Sequence, residues 1–316
     1  ARWDDAIQRD HTLVRLLLDS SQTEPVMDRL EQQFGREPSF RLMLLPVEAT
    51  VPRLADAPAA AAAAPEESPL PPAPQPLFGD RISREELYDD IRQATRSTRV
   101  FAVMSALSAA VAAIGLLRDA EAIVIGAMVI APLLGPNISL AFATTLGDTG
   151  LWRRSMRANL LGGGIVLAIA MLLGLLVDLG PRPEALSRAL AMRTAVDYGD
   201  LVLAAAAGVA GVLSFTTGVA SSLIGVMVAV ALVPPLVATG LLAGAGRWSQ
   251  SGAALLLVLT NVICVNLAAV AMFRLQGIAP RTWWEAAKAR RAAHDALLAW
   301  TLLLGVLVLL IWLARG

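Results

Sequence analysis

The sequence predicts an all-α polytopic membrane domain of about seven spans, built as two inverted three-helix repeats with Pro/Gly-broken helices, behind a small N-terminal α/β unit. Three observations predict it. The chain is 56% hydrophobic and 16% charged over 316 residues, far from the balance of a soluble domain. Apolar stretches recur at 100–117, 122–146, 158–178, 201–217, 222–245, 252–273 and 296–313, each near the length a spanning helix requires. Two of these stretches also share a motif interrupted by Gly and Pro.

Residues 1–54 read as the α/β unit: "TLVRLLLD" (12–19) as a strand, "TEPVMDRLEQQFG" (23–35) as a helix closed by Gly35, and "SFRLMLLPV" (39–47) as a second strand. Fifty residues make a marginal core, so the unit needs a second copy or the membrane domain beside it. A Pro/Ala-rich linker follows over 55–80, where "ADAPAAAAAAPEESPLPPAPQP" suits neither helix nor sheet interiors. Over 81–98 an amphipathic helix is expected. Ser83 and Glu86 form its capping box, and Leu87, Ile91 and Ala94 share one face. It reads as an interfacial anchor, with coupling between the soluble and membrane parts as the alternative. No basic n-region with an apolar h-region opens the chain, so no signal peptide is read there.

The membrane domain occupies 99–316, with repeat one at about 99–180, repeat two at about 198–277 and a final span at 296–313. Assigning loops on seven spans puts thirteen Arg or Lys on the side of the pre-membrane helix and six on the other. The positive-inside rule then sets the N-terminus in the cytoplasm of a cell whose inner membrane holds the protein.

Shifted by ninety-nine residues, "AIVIGAMVIAPLLGPNISLAFATTLGD" (122–148) meets "SSLIGVMVAVALVPPLVATGLLAGAG" (221–246) without a gap. Ile125 falls on Ile224, Gly126 on Gly225, Met128 on Met227, Val129 on Val228, Leu133 on Leu232, Pro136 on Pro235 and Gly147 on Gly246. Three spans per repeat would insert the second copy from the opposite face. Paired Gly/Pro interruptions in inverted halves point to the central site of a transporter. Pro132, Pro136, Pro234 and Pro235 lack N–H groups, so they leave carbonyls that protein, water or a ligand must satisfy. Both stretches are therefore expected as broken helices facing one another near the midplane, lined by Gly126, Met128, Pro132, Gly135, Pro136, Asn137, Gly225, Met227, Pro234 and Pro235. Asn261 and Asn266 join them from the sixth span, with helix-to-helix hydrogen bonding as the plainer reading. Ser139, Thr144, Thr145, Ser221 and Ser222 are further polar candidates, whereas Thr216, Thr217 and Asn159 read as glue near span ends. "AAAAGVAG" (204–211) and "GGG" (162–164) read as packing surfaces.

Absences narrow the function. No Asp, Glu, Lys, Arg or His lies within 122–147 or 219–246, which argues against a proton relay there. One Cys and two His make no metal site, no cofactor is expected, and net charge zero gives no reason for a nucleic-acid partner. The acidic motifs "TLGD" and "DYGD" lack the first Gly of G-x-G-D, and no G-x-S-x-G, H-E-x-x-H or phosphate loop occurs, so an enzyme is not expected.

The segments "ELYDDI" (86–91), "ALSAAVAAIGLL" (106–117), "IVIGAMVIAPLLGP" (123–136) and "GVMVAVALVPPL" (225–236), with "LPVEATVPR" (45–53), resemble the bacterial and archaeal membrane protein family called domain of unknown function 389. The resemblance spans about 12–275 and implies membrane location and architecture. It implies no substrate. The residues themselves favour a transporter or channel for a small solute or ion, working as a homo-oligomer in the lipid bilayer. A membrane-embedded sensor or scaffold and a lipid-handling protein are the alternatives.

Overall fold

The computed structural model describes residues 14, 16, 18, 20–35, 37, 39–45, 82, 84–177, 187–217, 221–278, 298, 300–302 and 305; over 221–231 the description covers the backbone. The linker, the cap at Ser83 and most of the expected final span lie outside the described residues. Two compact units divide the chain, Ala1–Glu86 and Leu87–Gly316.

In the first unit, α1 (Ser20–Phe34) covers the expected helix and begins three residues earlier. Among the described residues of the expected strands none is in a strand: Val14, Leu16 and Leu18 are unassigned, and 39–45 is irregular. A turn from Glu37 to Phe40 folds the chain back so that Phe40 stacks on Phe34 at 5.8 Å. Phe40 thus spends its apolar surface on the helix, and two short strands without a third are barely stable.

In the second unit the described residues form helices joined by short turns, with no strand among them. In order it comprises α2 (Arg84–Ala94, which begins in the first unit), α3 (Arg99–Leu117), α4 (Glu121–Ile130), α5 (Leu134–Leu146), α6 (Thr149–Leu176), a short α7 (Arg188–Ala191) running into a 3-10 turn, α8 (Tyr198–Thr217), α9 (Ser221–Gly244) and α10 (Trp248–Leu275). Four of these, α3, α6, α8 and α10, are long and apolar enough to cross a membrane, and a fifth crossing arises if α4 and α5 count as one span. Seven spans are more than the described residues supply.

Local sequence explains the ends. Thr98 caps α3 by accepting from the Phe101 amide at 3.1 Å, and Asp148 caps α6 from the Leu151 amide at 2.9 Å. Pro132 pushes the residue before it out of the helical region, and Ala131 accordingly sits at φ −68°, ψ 121°. There α4 stops. Pro136 falls in the first turn of α5, where a missing N–H costs no helical hydrogen bond.

The repeat register survives at the far end of both copies. Gly147 ends α5 at φ 67°, and Gly246 follows α9 at φ 74°, in the left-handed region that glycine enters without strain. Around each, the glycine N–H bonds three residues back and the next N–H five residues back: Gly147 to Thr144 and Asp148 to Ala143, Gly246 to Ala243 and Arg247 to Leu242. Every member of one turn lies ninety-nine residues from its counterpart.

Contacts also fix helix directions. Ser139 meets Ser155 and Asn159 meets Pro136, so α5 and α6 are antiparallel; Ser251 meets Thr239, so α9 and α10 are antiparallel too. Asn137 meets Asn266 while Phe142 meets Phe273, so α5 and α10 run the same way. Gly240 lies by Leu167 and Ala170, and Gly244 by Met171 and Gly174, so α6 and α9 are parallel. The α5–α6 pair and the α9–α10 pair therefore run in opposite senses.

Small residues permit the closest of these approaches. A Cβ on Gly174 would fall inside the backbone of Leu241, one on Gly240 would lie 2.6 Å from the Ala170 Cβ, and one on Gly208 would strike the Val265 carbonyl. Of the 162–164 glycines only Gly162 is tightly packed, against Leu133 and Phe101; Gly164 has nothing within 4 Å. Gly174→Val is expected to destabilise the protein by about 1–3 kcal/mol or more through overpacking against backbone. Gly164→Ala is expected to be neutral or stabilising by up to about 1 kcal/mol. Thermal unfolding of both variants in detergent measures the contrast.

Candidate functional site

The first of the expected interruptions is present. Helices α4 and α5 meet at 58° across Ala131–Leu133, the geometry of a broken span or a re-entrant loop. The second stretch differs: α9 is one continuous helix with Pro234 and Pro235 inside it, both buried. The expectation of two facing broken helices is corrected on this point. Pro132 and Pro136 are four residues apart and straddle a turn, whereas Pro234 and Pro235 are adjacent, so their missing N–H groups fall on one turn that flanking helix can bridge.

At the break, one main-chain carbonyl loses its helical donor and a second takes an additional side-chain donor, each served from another helix. The Ala131 N–H turns to the Met128 carbonyl at 3.3 Å, leaving the Ala127 carbonyl without its helical donor; the Ser108 hydroxyl of α3 supplies one at 2.7 Å. The Pro136 carbonyl accepts from the Asn159 side-chain amide of α6 at 2.9 Å. In the other copy the Pro235 carbonyl likewise accepts a side-chain donor, Thr239 Oγ1 at 2.8 Å. The C-terminal carbonyl end of α4 and the N-terminal N–H end of α5 thus face one another inside protein, with opposite partial charges.

Helix α5 is almost wholly enclosed, since eleven of its thirteen residues are buried. At roughly 1.5 Å per residue it covers about 20 Å, too short to span a hydrocarbon core alone. Three asparagines from three helices converge on its first turn. Besides Asn159, the Asn266 side chain of α10 donates from Nδ2 to Asn137 Oδ1 at 2.9 Å and to the Val262 carbonyl at 2.9 Å. Asn137 and Asn266 are 2% and 0% exposed. Gly135, beside them, packs against the Ala94 Cβ at the end of α2.

The remaining candidates divide plainly. Met128 is buried in the hydrophobic core. Gly126 is exposed on α4 with nothing within 4 Å of an added Cβ. Gly225 and Met227 lie in the part of α9 whose side chains fall outside the description. Asn261 is buried, but five residues before Asn266 it points about 140° around α10. Thr144 and Thr145 bond back to the Leu140 and Ala141 carbonyls. Ser155 gives its proton to the Leu151 carbonyl and so accepts from Ser139 at 2.7 Å. Among the described residues no three His, Cys, Asp or Glu side chains gather, leaving amides, hydroxyls and main-chain groups as the chemistry on offer.

Sequence reasoning undervalued Asn159, passed over Ser108 and read α2 as an interfacial anchor. Asn159 lies four residues after Ser155, which places both on the α6 face that meets α5, and that spacing was the available signal. The apolar face of α2 is packed into the bundle, with Leu87 and Ile91 fully buried. Tyr88 donates to Asp148 Oδ2 at 2.8 Å and its ring lies 6.2 Å from that of Phe142. Burial, then the hydrogen bond to Asp148, raises the Tyr88 phenol above its ordinary value. On the opposite end, Asp119 at φ 53° accepts from the Ala189 amide, and Ser187 donates to the Leu116 carbonyl, tying α7 to the α3–α4 turn. Arg193 is held below its ordinary value by burial, against the pull of Glu121 and Asp200.

A family profile described as a domain of unknown function, number 389, matches residues 128–267. The chain is 33% identical over 301 residues to an uncharacterised protein of Methanocaldococcus jannaschii, covering 95% of this chain and 87% of the relative. No solved structure matches.

Ser108→Ala strands the buried Ala127 carbonyl and is expected to cost about 1–3 kcal/mol in thermal or denaturant unfolding. Tyr88→Phe is expected to cost less, under about 1 kcal/mol, because solvent reaches the pair. The fold favours the neutral phenol, so its contribution is intact below about pH 10 and fades as pH rises through the raised folded value. Wild type and Tyr88→Phe should therefore converge in stability on strongly alkaline titration.

Proposed function

We propose that this chain, which belongs to the domain of unknown function 389 family, is a multi-pass membrane protein that passes a small solute or ion through a polar site at the α4–α5 break. One observation carries the reading: an interrupted helix pair whose main-chain groups are met by Ser108 and Asn159, beside buried asparagines on α5 and α10. Irregular backbone at membrane depth persists only where protein or a cavity surrounds it, and transporters place substrates at such half-helix ends.

Two further features support the wider proposal. The opposite running senses of α5–α6 and α9–α10, with the matched turns at Gly147 and Gly246, support an inverted repeat in which α9 also crosses the membrane. Arg153, Arg154, Arg157 and Arg274 cluster on the side of α2, which supports a cytoplasmic N-terminus in an inner membrane. Assembly as a homo-oligomer belongs to the proposal because the small first unit gains stability from a second copy. No catalytic role is assigned. A regulated form of the same reading is favoured by α2, which touches both ends of α5 through Ala94 and Tyr88.

The test is flux into proteoliposomes holding the full chain, with potassium, chloride, urea and glycerol as probes. Wild type is expected to raise the rate for at least one probe above that of protein-free vesicles. Pro132→Ala/Pro136→Ala, which restores two N–H donors and favours an unbroken helix, is expected to return it to background. A sensor or scaffold predicts no flux in either protein.

A further inference from the structure

Around the first turn of α5 the hydrogen bonds leave a specific remainder. Both Nδ2 protons of Asn266 are spent, one on Asn137 Oδ1 and one on the Val262 carbonyl. That second bond fixes which way the amide faces, because turning it over would set Oδ1 against another carbonyl oxygen. Asn137 is fixed in turn, since its oxygen must receive the Asn266 proton. Two atoms remain, Asn137 Nδ2 and Asn266 Oδ1, fully buried and without a hydrogen-bond partner among the described residues. One is a donor and the other an acceptor, on amides that already touch.

The apolar spans around the pair carry no charge to offset an ion, and the arginines of the neighbouring α2 end and α6 start, Arg92, Arg96, Arg153, Arg154 and Arg157, are exposed. No Asp, Glu, Lys, Arg or His occurs in 100–117, 122–147, 158–177, 201–217, 219–246 or 249–273. A dehydrated cation would be drawn to Asn266 Oδ1 and repelled by the Asn137 amide protons; a dehydrated anion would meet the reverse. Either would enter low-dielectric protein unpaired. A group that accepts from Asn137 and donates to Asn266 at once satisfies both atoms, and hydroxyls and primary amides do so without charge. The α5 N-terminus adds main-chain donors at Leu134 and Gly135 for a second acceptor on the same molecule.

We propose that the Asn137–Asn266 pair recognises a small neutral solute bearing a hydroxyl or primary amide, with Asn137 as its donor and Asn266 as its acceptor. This rests on the transport reading above.

Stopped-flow light scattering of proteoliposomes holding the full chain, with urea and glycerol as probes and potassium and chloride flux measured in parallel, tests it. Wild type should pass urea or glycerol faster than protein-free vesicles and leave both ions at background. Asn137→Leu should lower that rate by about tenfold. Asn266→Leu should do the same, and size-exclusion profiles identify either variant that misfolds. The wild-type panel decides the solute class even if both variants misfold. Ion flux without urea or glycerol flux overturns the neutral-solute class while the conduit stands. No flux of any probe overturns both, and neutral flux that a folded Asn137→Leu leaves unchanged overturns the assignment of the pair.

Discussion

A backbone amide or carbonyl removed from water must find a partner, and inside a hydrocarbon core the partner has to come from the protein itself. From Leu87 onward, the break between α4 and α5 is a place where a helix cannot supply it. Pro132 stops α4, Ala131 turns extended, and the Ala127 carbonyl loses its donor. Ser108 on α3 and Asn159 on α6 make good the loss at Ala127 and hold the Pro136 carbonyl. Those bonds require α3 and α6 to flank the break, and they leave α5 enclosed.

Enclosure in turn demands close helix contact. Gly162 lets Leu133 and Phe101 pack over the break, and Gly174, Gly240 and Gly244 bring α6 and α9 together at backbone distance. With α5 parallel to α10 and α6 parallel to α9, each set of three helices lends its third helix to the second helix of the other. This exchange carries Asn266 to Asn137. The polar pair is thus a product of the topology, since the two residues are 129 positions apart.

Much of this was legible in residue types. Pro132 and Pro136 announced an interruption, and the Gly147–Gly246 match in the sequence reappears as two identical turns. Asn137 and Asn266 stood out as amides within apolar runs. The same reasoning failed at Pro234 and Pro235, because adjacency confines the missing donors to one turn and packing on both sides keeps Val233 helical. Gly126, whose motif carried the repeat, is exposed. Ser108 and Asn159 were hard to rank because a serine or asparagine in a helix signals only that a partner exists, and which carbonyl it serves depends on a helix elsewhere in the chain. The alternation read as strands at 12–19 and 39–47 counts apolar residues without saying whether another strand is there to pair with.

The central proposal is that the α5–α6 and α9–α10 pairs enter the membrane from opposite faces; Asn137–Asn266 and Phe142–Phe273, which form together only if α5 and α10 run the same way, support it. Labelling with a membrane-impermeant thiol reagent tests it most directly, using Thr149→Cys and Ser249→Cys separately in a Cys264→Ser background. Both positions are exposed, at the starts of α6 and α10. The account predicts that Thr149→Cys reacts from the face that bears α2 and Ser249→Cys from the other. Reaction of both from one face would contradict it.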